Sequence, residues 1–223
     1  MHPQCEVRIA LEIPDDAVFW QPTPSEINEE GFGYFHNVWP IVAPTAHETR
    51  RVLEADSAGL SYASRNCSTE DEFEEVAKWL ESVVPDDDET APPAALGDRW
   101  TGTEGLDLGV AGLVYSLAHV GFYPAASCRA HTTGSWADCP TVLFAAGQER
   151  LMRMLPMIQN AGCGIQYVVS RGVPLFALLA PSTMQFSKLA EAVFAARREL
   201  RAIPKTSRRS RGAPKSYQPE LPI

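Results

Sequence analysis

Between residues 5 and 13 apolar and polar positions alternate: Val7, Ile9, Leu11 and Ile13 fall on one side, Glu6, Arg8 and Glu12 on the other. A period of two predicts a half-buried strand. The pattern then breaks. Residues 14–44 hold five prolines and a scatter of aromatics (Phe19, Trp20, Phe32, Tyr34, Phe35, Trp39), which predicts a long irregular connection with one short strand near 34–42. Thr45 and Glu48 have the spacing of a capping box and predict a helix to about residue 56. Thr69 and Glu72 repeat the signal. The helix they open carries Phe73, Val76, Leu80, Val83 and Val84 on one face and crowds acids into its first turn, where the helix dipole favours them.

The second half is more regular. Leu106, Val110, Leu113, Val114 and Leu117 form an apolar stripe that Gly121 ends. Strands are predicted at 122–127 and 141–146. A helix at 147–162 ends at Gly162 and contains Pro156, which should start a turn or kink it. Two further strands, "IQYVVS" and "VPLFALLA", meet at Arg171-Gly172, a tight hairpin signal, and a last helix opens at Pro181 and Ser182. The order helix–strand–strand, helix–strand–strand, helix predicts an α+β fold: a tandem αββ repeat forming a four-stranded, mainly antiparallel sheet with helices on one face, plus an irregular N-terminal elaboration. The expected divisions are residues 1–98, an αββ-αββ-α domain at 99–203, and a flexible tail at 204–223, with the acidic, proline-rich stretch 85–98 as linker.

Charge changes the picture in one respect. The net charge is −9, yet residues 197–223 carry eight Lys/Arg against Glu199 and Glu220, a local +6, so the remaining body stands at −15. An acidic body argues against a broad nucleic-acid surface on the folded part. It fits a basic protein partner; the basic tail reads first as a solubilising segment that folds back on the acidic body, and alternatively as a contact for nucleic acid or an acidic partner. No apolar run reaches the ~20 residues of a membrane span, and the N-terminus lacks a secretory pattern. Five scattered cysteines do not make a disulfide framework; a reducing cytoplasm and no membrane contact are expected. Oligomeric state is not legible.

The chemistry concentrates in one loop, "SCRAHTTGSWADCP", residues 127–140. Cys128, His131 and Cys139 could surround one zinc ion, with Asp138, Cys163 or water as fourth ligand. Alternatively Cys128 is a nucleophile, His131 its base and Asp138 the group that orients the imidazole, with Arg129 favouring the thiolate. A third account needs no chemistry: cysteines are commonly small buried hydrophobes, and His131 would be a hydrogen-bonding loop residue near solvent. The acids at 70–75 and 86–89 read as solvated faces. Glu104 and Asp107 make the glycine-containing "GTEGLDLG" a poor phosphate loop.

The run "GFYPAASCRAH" at 121–131, with its "GLDLGVAGLVYSLAHVG" lead-in, resembles a helix–strand–Ser-Cys-x-Gly-His segment of uncharacterised bacterial and phage proteins. The likeness covers residues 104–146 and departs at Ala130, where the pattern has glycine. It implies a recurrent segment around Cys128 and His131 and no particular reaction. The expected function is a cytoplasmic, bacterial binding or interaction protein, such as an immunity or defence-associated factor. The alternative is a zinc- or cysteine-dependent enzyme using the 127–140 loop.

Overall fold

The computed structural model describes residues 3–22, 27–28, 31–32, 43–83, 93–97, 100–132, 135–170 and 172–204. The strand expected near 34–42, most of the 85–98 linker and the tail from 205 lie outside the described residues. In chain order the elements are β1 (Leu11–Glu12), β2 (Ile27–Asn28), β3 (Gly31–Phe32), α1 (Ala46–Asn66), α2 (Glu70–Ser82), α3 (Ala111–His119), β4 (Tyr123–Cys128), β5 (Thr141–Ala145), α4 (Gln148–Ala161), β6 (Gly164–Ser170), β7 (Val173–Leu179), α5 (Thr183–Ala195) and α6 (Arg197–Ala202). Among the described residues no helix is long and apolar enough to cross a membrane.

The fold is α+β, but the sheet has five strands and is mixed, not four-stranded. Its order is β1-β6-β7-β5-β4, with β2 and β3 forming a separate two-stranded pair. The extra strand is the alternating N-terminal run, which pairs parallel to β6 with Leu11 opposite Ile165. Of its apolar face, Ile13 packs against the main core, but the middle of the run does not enter it as the alternation suggests. Ile9 and Leu11 are 42% and 41% exposed, because the run is only an edge strand. The other pairs, β4·β5, β5·β7 and β6·β7, are antiparallel as expected.

The expected helix–strand–strand order is met by α3-β4-β5, α4-β6-β7 and then α5. The two halves also share their helix ends. Gly121 and Gly162 both take left-handed φ, +88° and +76°. Phe122 N–H donates to Leu117 O, and Cys163 N–H to Ile158 O, each at 3.0 Å and each 41 residues from its counterpart. Between the sheet and α3, α4 and α5 lies the main core, where Phe144 and Phe176 sit opposite each other across β5 and β7. A smaller cluster of Ala125, Ala145, Val173 and Leu175 receives Trp20. The helix α4 runs through Pro156, which neither ends it nor opens a turn.

Both predicted capping boxes form, at Thr45/Glu48 and Thr69/Glu72. The first helix runs ten residues past the expected end at 56, and the reason is tertiary. Its Gly59 is a seat for another residue: a Cβ there would lie 2.6 Å from the Trp100 ring. A second core of α1, α2, Leu96, Trp100 and Leu108 forms around that contact. The opposite side of α1 reaches α3. Val110, the N-cap of α3, has no side-chain capping bond, and the cap comes from another helix. Asp56, fully buried in α1, accepts from Gly109 N–H at 2.5 Å and Gly112 N–H at 2.9 Å.

Candidate functional site

The loop after β4 is fixed by acids that the sequence places elsewhere. Glu74 and Glu81 stand seven residues apart on α2, two turns along one face. They flank the buried stripe of Phe73, Ala77 and Leu80. The Arg129 guanidinium, 2% exposed, enters between them. Its Nη1 donates to Glu81 Oε1 at 2.7 Å. Its Nη2 pairs with Glu74 Oε2 at 3.1 Å, a charge contact rather than an aligned hydrogen bond. The Arg129 backbone N–H donates to Asp107 Oδ2 at 3.0 Å. Arg129 therefore faces carboxylates, not the Cys128 thiol it was expected to activate.

His131 completes the arrangement. Its Nδ1 lies 3.0 Å from Glu74 Oε1 and its Nε2 3.0 Å from Asp107 Oδ2. Ionised carboxylates only accept, so these contacts suit a ring nitrogen that carries a proton or, in its place, a metal ion. The ring is 21% exposed, which makes it a bridge between two elements and not a solvent-facing loop residue. The backbone turns sharply to bring it there. Ala130 adopts φ +66°, in the left-handed region that favours glycine, at the position where the resembling segment carries glycine.

These contacts set the charge states. Burial, the largest single influence on Glu74, would raise its pKa. The hydrogen bond from His131, the charge of Arg129 and Lys78 together outweigh it, and the group is held below the ordinary carboxylate range. Glu81 goes the other way. Burial pushes its carboxyl up to about 7, against Arg129 and the Leu108 N–H that donates to it at 2.6 Å.

Of the residues nominated by the sequence, Cys128 and His131 come together and the others do not join them. The Cys128 thiol, the His131 ring and the Asp107 carboxylate each offer a ligand atom within 4.8 Å of the other two. Cys128 Sγ sits 3.2 Å from Ser135 Oγ and accepts from Ala130 N–H at 3.4 Å. Cys139 is buried and turned to Thr141, its Sγ 3.9 Å from Thr141 Oγ1, and burial raises its pKa. Asp138 is exposed, and the imidazole it was expected to orient is held by Glu74 and Asp107 instead. Cys163 lies in the main core, where burial pushes its thiol up to about 12.

Sequence reasoning missed Glu74, Glu81 and Asp107 as members of this site. Glu74, which the acid-rich stretch 70–75 places on a solvated face, is 7% exposed. The seven-residue spacing of Glu74 and Glu81 puts both on one face of α2, but it does not tell a solvated acid from one paired with a buried arginine. The loop residue Trp136 stays outside the network, 55% exposed. Thr133 and Gly134 lie outside the described residues. No protein-family model, curated protein or solved structure matches this chain.

Proposed function

We propose that this protein is a binding protein whose working surface is the 127–140 loop, and that its partner is a basic protein. The observation that carries this reading is the contrast within the loop. Its base is held by Arg129 and His131 on three buried or half-buried carboxylates, while Trp136 projects at 55% exposure. A tryptophan on a fixed base is the type of anchor that dominates interfaces, since little ordering entropy remains to be lost on binding. The charge of −15 on residues 1–196 selects basic partners and speeds their encounter. An immunity or defence role is the special case in which that partner is an effector.

Immobilised full-length protein and its Trp136→Ala variant test this directly. The wild type should retain a basic protein that elutes with salt, and the variant should lose it with an unchanged melting temperature. Identical retention by both proteins would sink the assignment of the loop as the interface.

A further inference from the structure

We propose that Asp107, Cys128 and His131 form a zinc-class metal site, with Glu74 as the positioning residue for His131 and the fourth coordination place left to water or an incoming ligand. This goes beyond the partner reading: the two share His131 and its carboxylates, while Trp136 takes no part in the metal site.

The argument begins with the donor set. A thiolate, an imidazole and a carboxylate form a borderline-soft mixture suited to zinc, and zinc–ligand distances of ~2.0–2.3 Å put neighbouring donor atoms roughly 3–4 Å apart. Here the donor atoms already lie within 4.8 Å of one another, and the His131 Nε2 to Asp107 Oδ2 separation is 3.0 Å. A small contraction would close them on one ion. Asp107 joins Cys128 and His131 from the segment before α3, 24 residues before His131, so chain proximity does not account for its place among them.

The second argument is the outer shell. A ligating histidine usually donates its other ring N–H to a carboxylate, which fixes its orientation and makes it a better donor. Glu74 Oε1 stands 3.0 Å from Nδ1, leaving Nε2 turned toward Asp107. Glu74 is itself held by Arg129 and Lys78. The thiol is similarly supported, by Ala130 N–H and Ser135 Oγ. The left-handed turn at Ala130 is what allows two donors spaced Cys-x2-His to converge. Local strain of this kind is characteristic of sites the surrounding structure must enforce.

The chemistry balances simply. M²⁺ takes the place of any proton on the Cys128 sulfur and on His131 Nε2, the displaced protons pass to solvent, and the thiolate and the Asp107 carboxylate neutralise the ion. The ligand set differs from the one the spacing suggested: Asp107 takes the place of Cys139, whose sulfur faces Thr141.

The test uses the full chain, stripped with chelator and titrated with Co²⁺ and then Zn²⁺. The expected result is uptake of one equivalent of Co²⁺ with a thiolate-to-cobalt charge-transfer absorption, displacement by Zn²⁺, and slower alkylation of Cys128 once Zn²⁺ is bound. Cys128→Ser should abolish the absorption. Glu74→Gln should weaken Zn²⁺ binding roughly 10–100-fold, as for outer-shell partners elsewhere. Cys139→Ser should leave binding unchanged. If His131→Ala fails to fold, the cobalt spectrum and the alkylation rates of wild type and Cys128→Ser decide alone. Absence of stoichiometric Co²⁺ uptake by the folded wild type, uptake without the thiolate absorption, or uptake unaltered in Cys128→Ser overturns the site.

Discussion

Arg129 and Asp56 are the two buried charges on which most depends at the scale of single residues. Arg129 sits between Glu74 and Glu81 with almost no exposure. Replacing it by methionine keeps much of the volume but takes from Glu81 its paired cation and leaves Glu74 to Lys78 and His131. Breaking a buried pair in this way costs ~3–5 kcal/mol, which denaturant titration would register; a loss under ~1 kcal/mol would show that the acids re-solvate freely. Asp56 makes a pH-dependent prediction. Burial pushes its carboxyl from 3.8 up to about 6, despite the two backbone N–H donors. A raised folded value means that the fold favours the protonated form. The contribution is fully present below pH 3.8, declines as pH rises through about 6, and is flat above. The stability difference between wild type and Asp56→Asn should therefore shift against the wild type across that window. A difference independent of pH, or one shifting toward the wild type as pH rises, would contradict the burial argument.

Among the elements, local and long-range control separate clearly. The starts of α1 and α2 are local: Thr45 and Thr69 accept from the N–H three residues on, and Glu48 and Glu72 close the boxes. Thr69→Ala should cost ~1 kcal/mol, the ordinary worth of an N-cap. The start of α3 is not local, since its cap is Asp56, 53 residues before Gly109. Gly109 is needed there twice over. Its φ is +87°, and a Cβ would lie 2.5 Å from that of Thr183. Gly109→Ala should cost ~2–4 kcal/mol, from left-handed strain and overpacking together, and thermal melts of the two proteins would measure it. The strands β4 to β7 and the glycine stops of α3 and α4 were legible because period and stop signals lie within a few residues. The length of α1 was not, because its second half is held by tertiary contacts, among them the Trp100 ring seated on Gly59.

For the molecule as a whole, the question is where it divides. Residues from both sides of the expected boundary at 98/99 share both cores: Leu53 lies in the main one, and Trp100 and Leu108 lie in the other with α1 and α2. The Asp56 cap and the β1·β6 pairing cross it too. Residues 99–203 expressed alone should therefore lack a cooperative melt; a sharp transition would show the second half to be self-sufficient. At the other end the fold closes on Arg150, whose guanidinium donates to Gly121, Leu200 and Ile203 carbonyls. Ending the chain after Pro204 should change stability by less than ~0.5 kcal/mol. Ending it after Ala196 should cost several-fold more, because it removes buried Leu200 and two of the acceptors of Arg150.

Features with local causes were legible along the chain: capping boxes, glycine stops, the order of helices and strands in the second half, and the loop in which Cys128 and His131 fall. These follow from side-chain periodicity and from hydrogen bonds that span three to five residues. Which residues share the site with that loop depends on long-range packing. Asp107 and Glu74 meet His131 across 24 and 57 residues of chain. Nothing in the spacing of acids along α2 distinguishes a carboxylate pointing at solvent from one pointing at a buried arginine. The same reason moved Cys139 and Asp138 away from the donor cluster: nearness in sequence within a loop does not set the direction of a side chain, whereas the strand pairing of Cys128 with Thr141 and the ion pairs beneath the loop do.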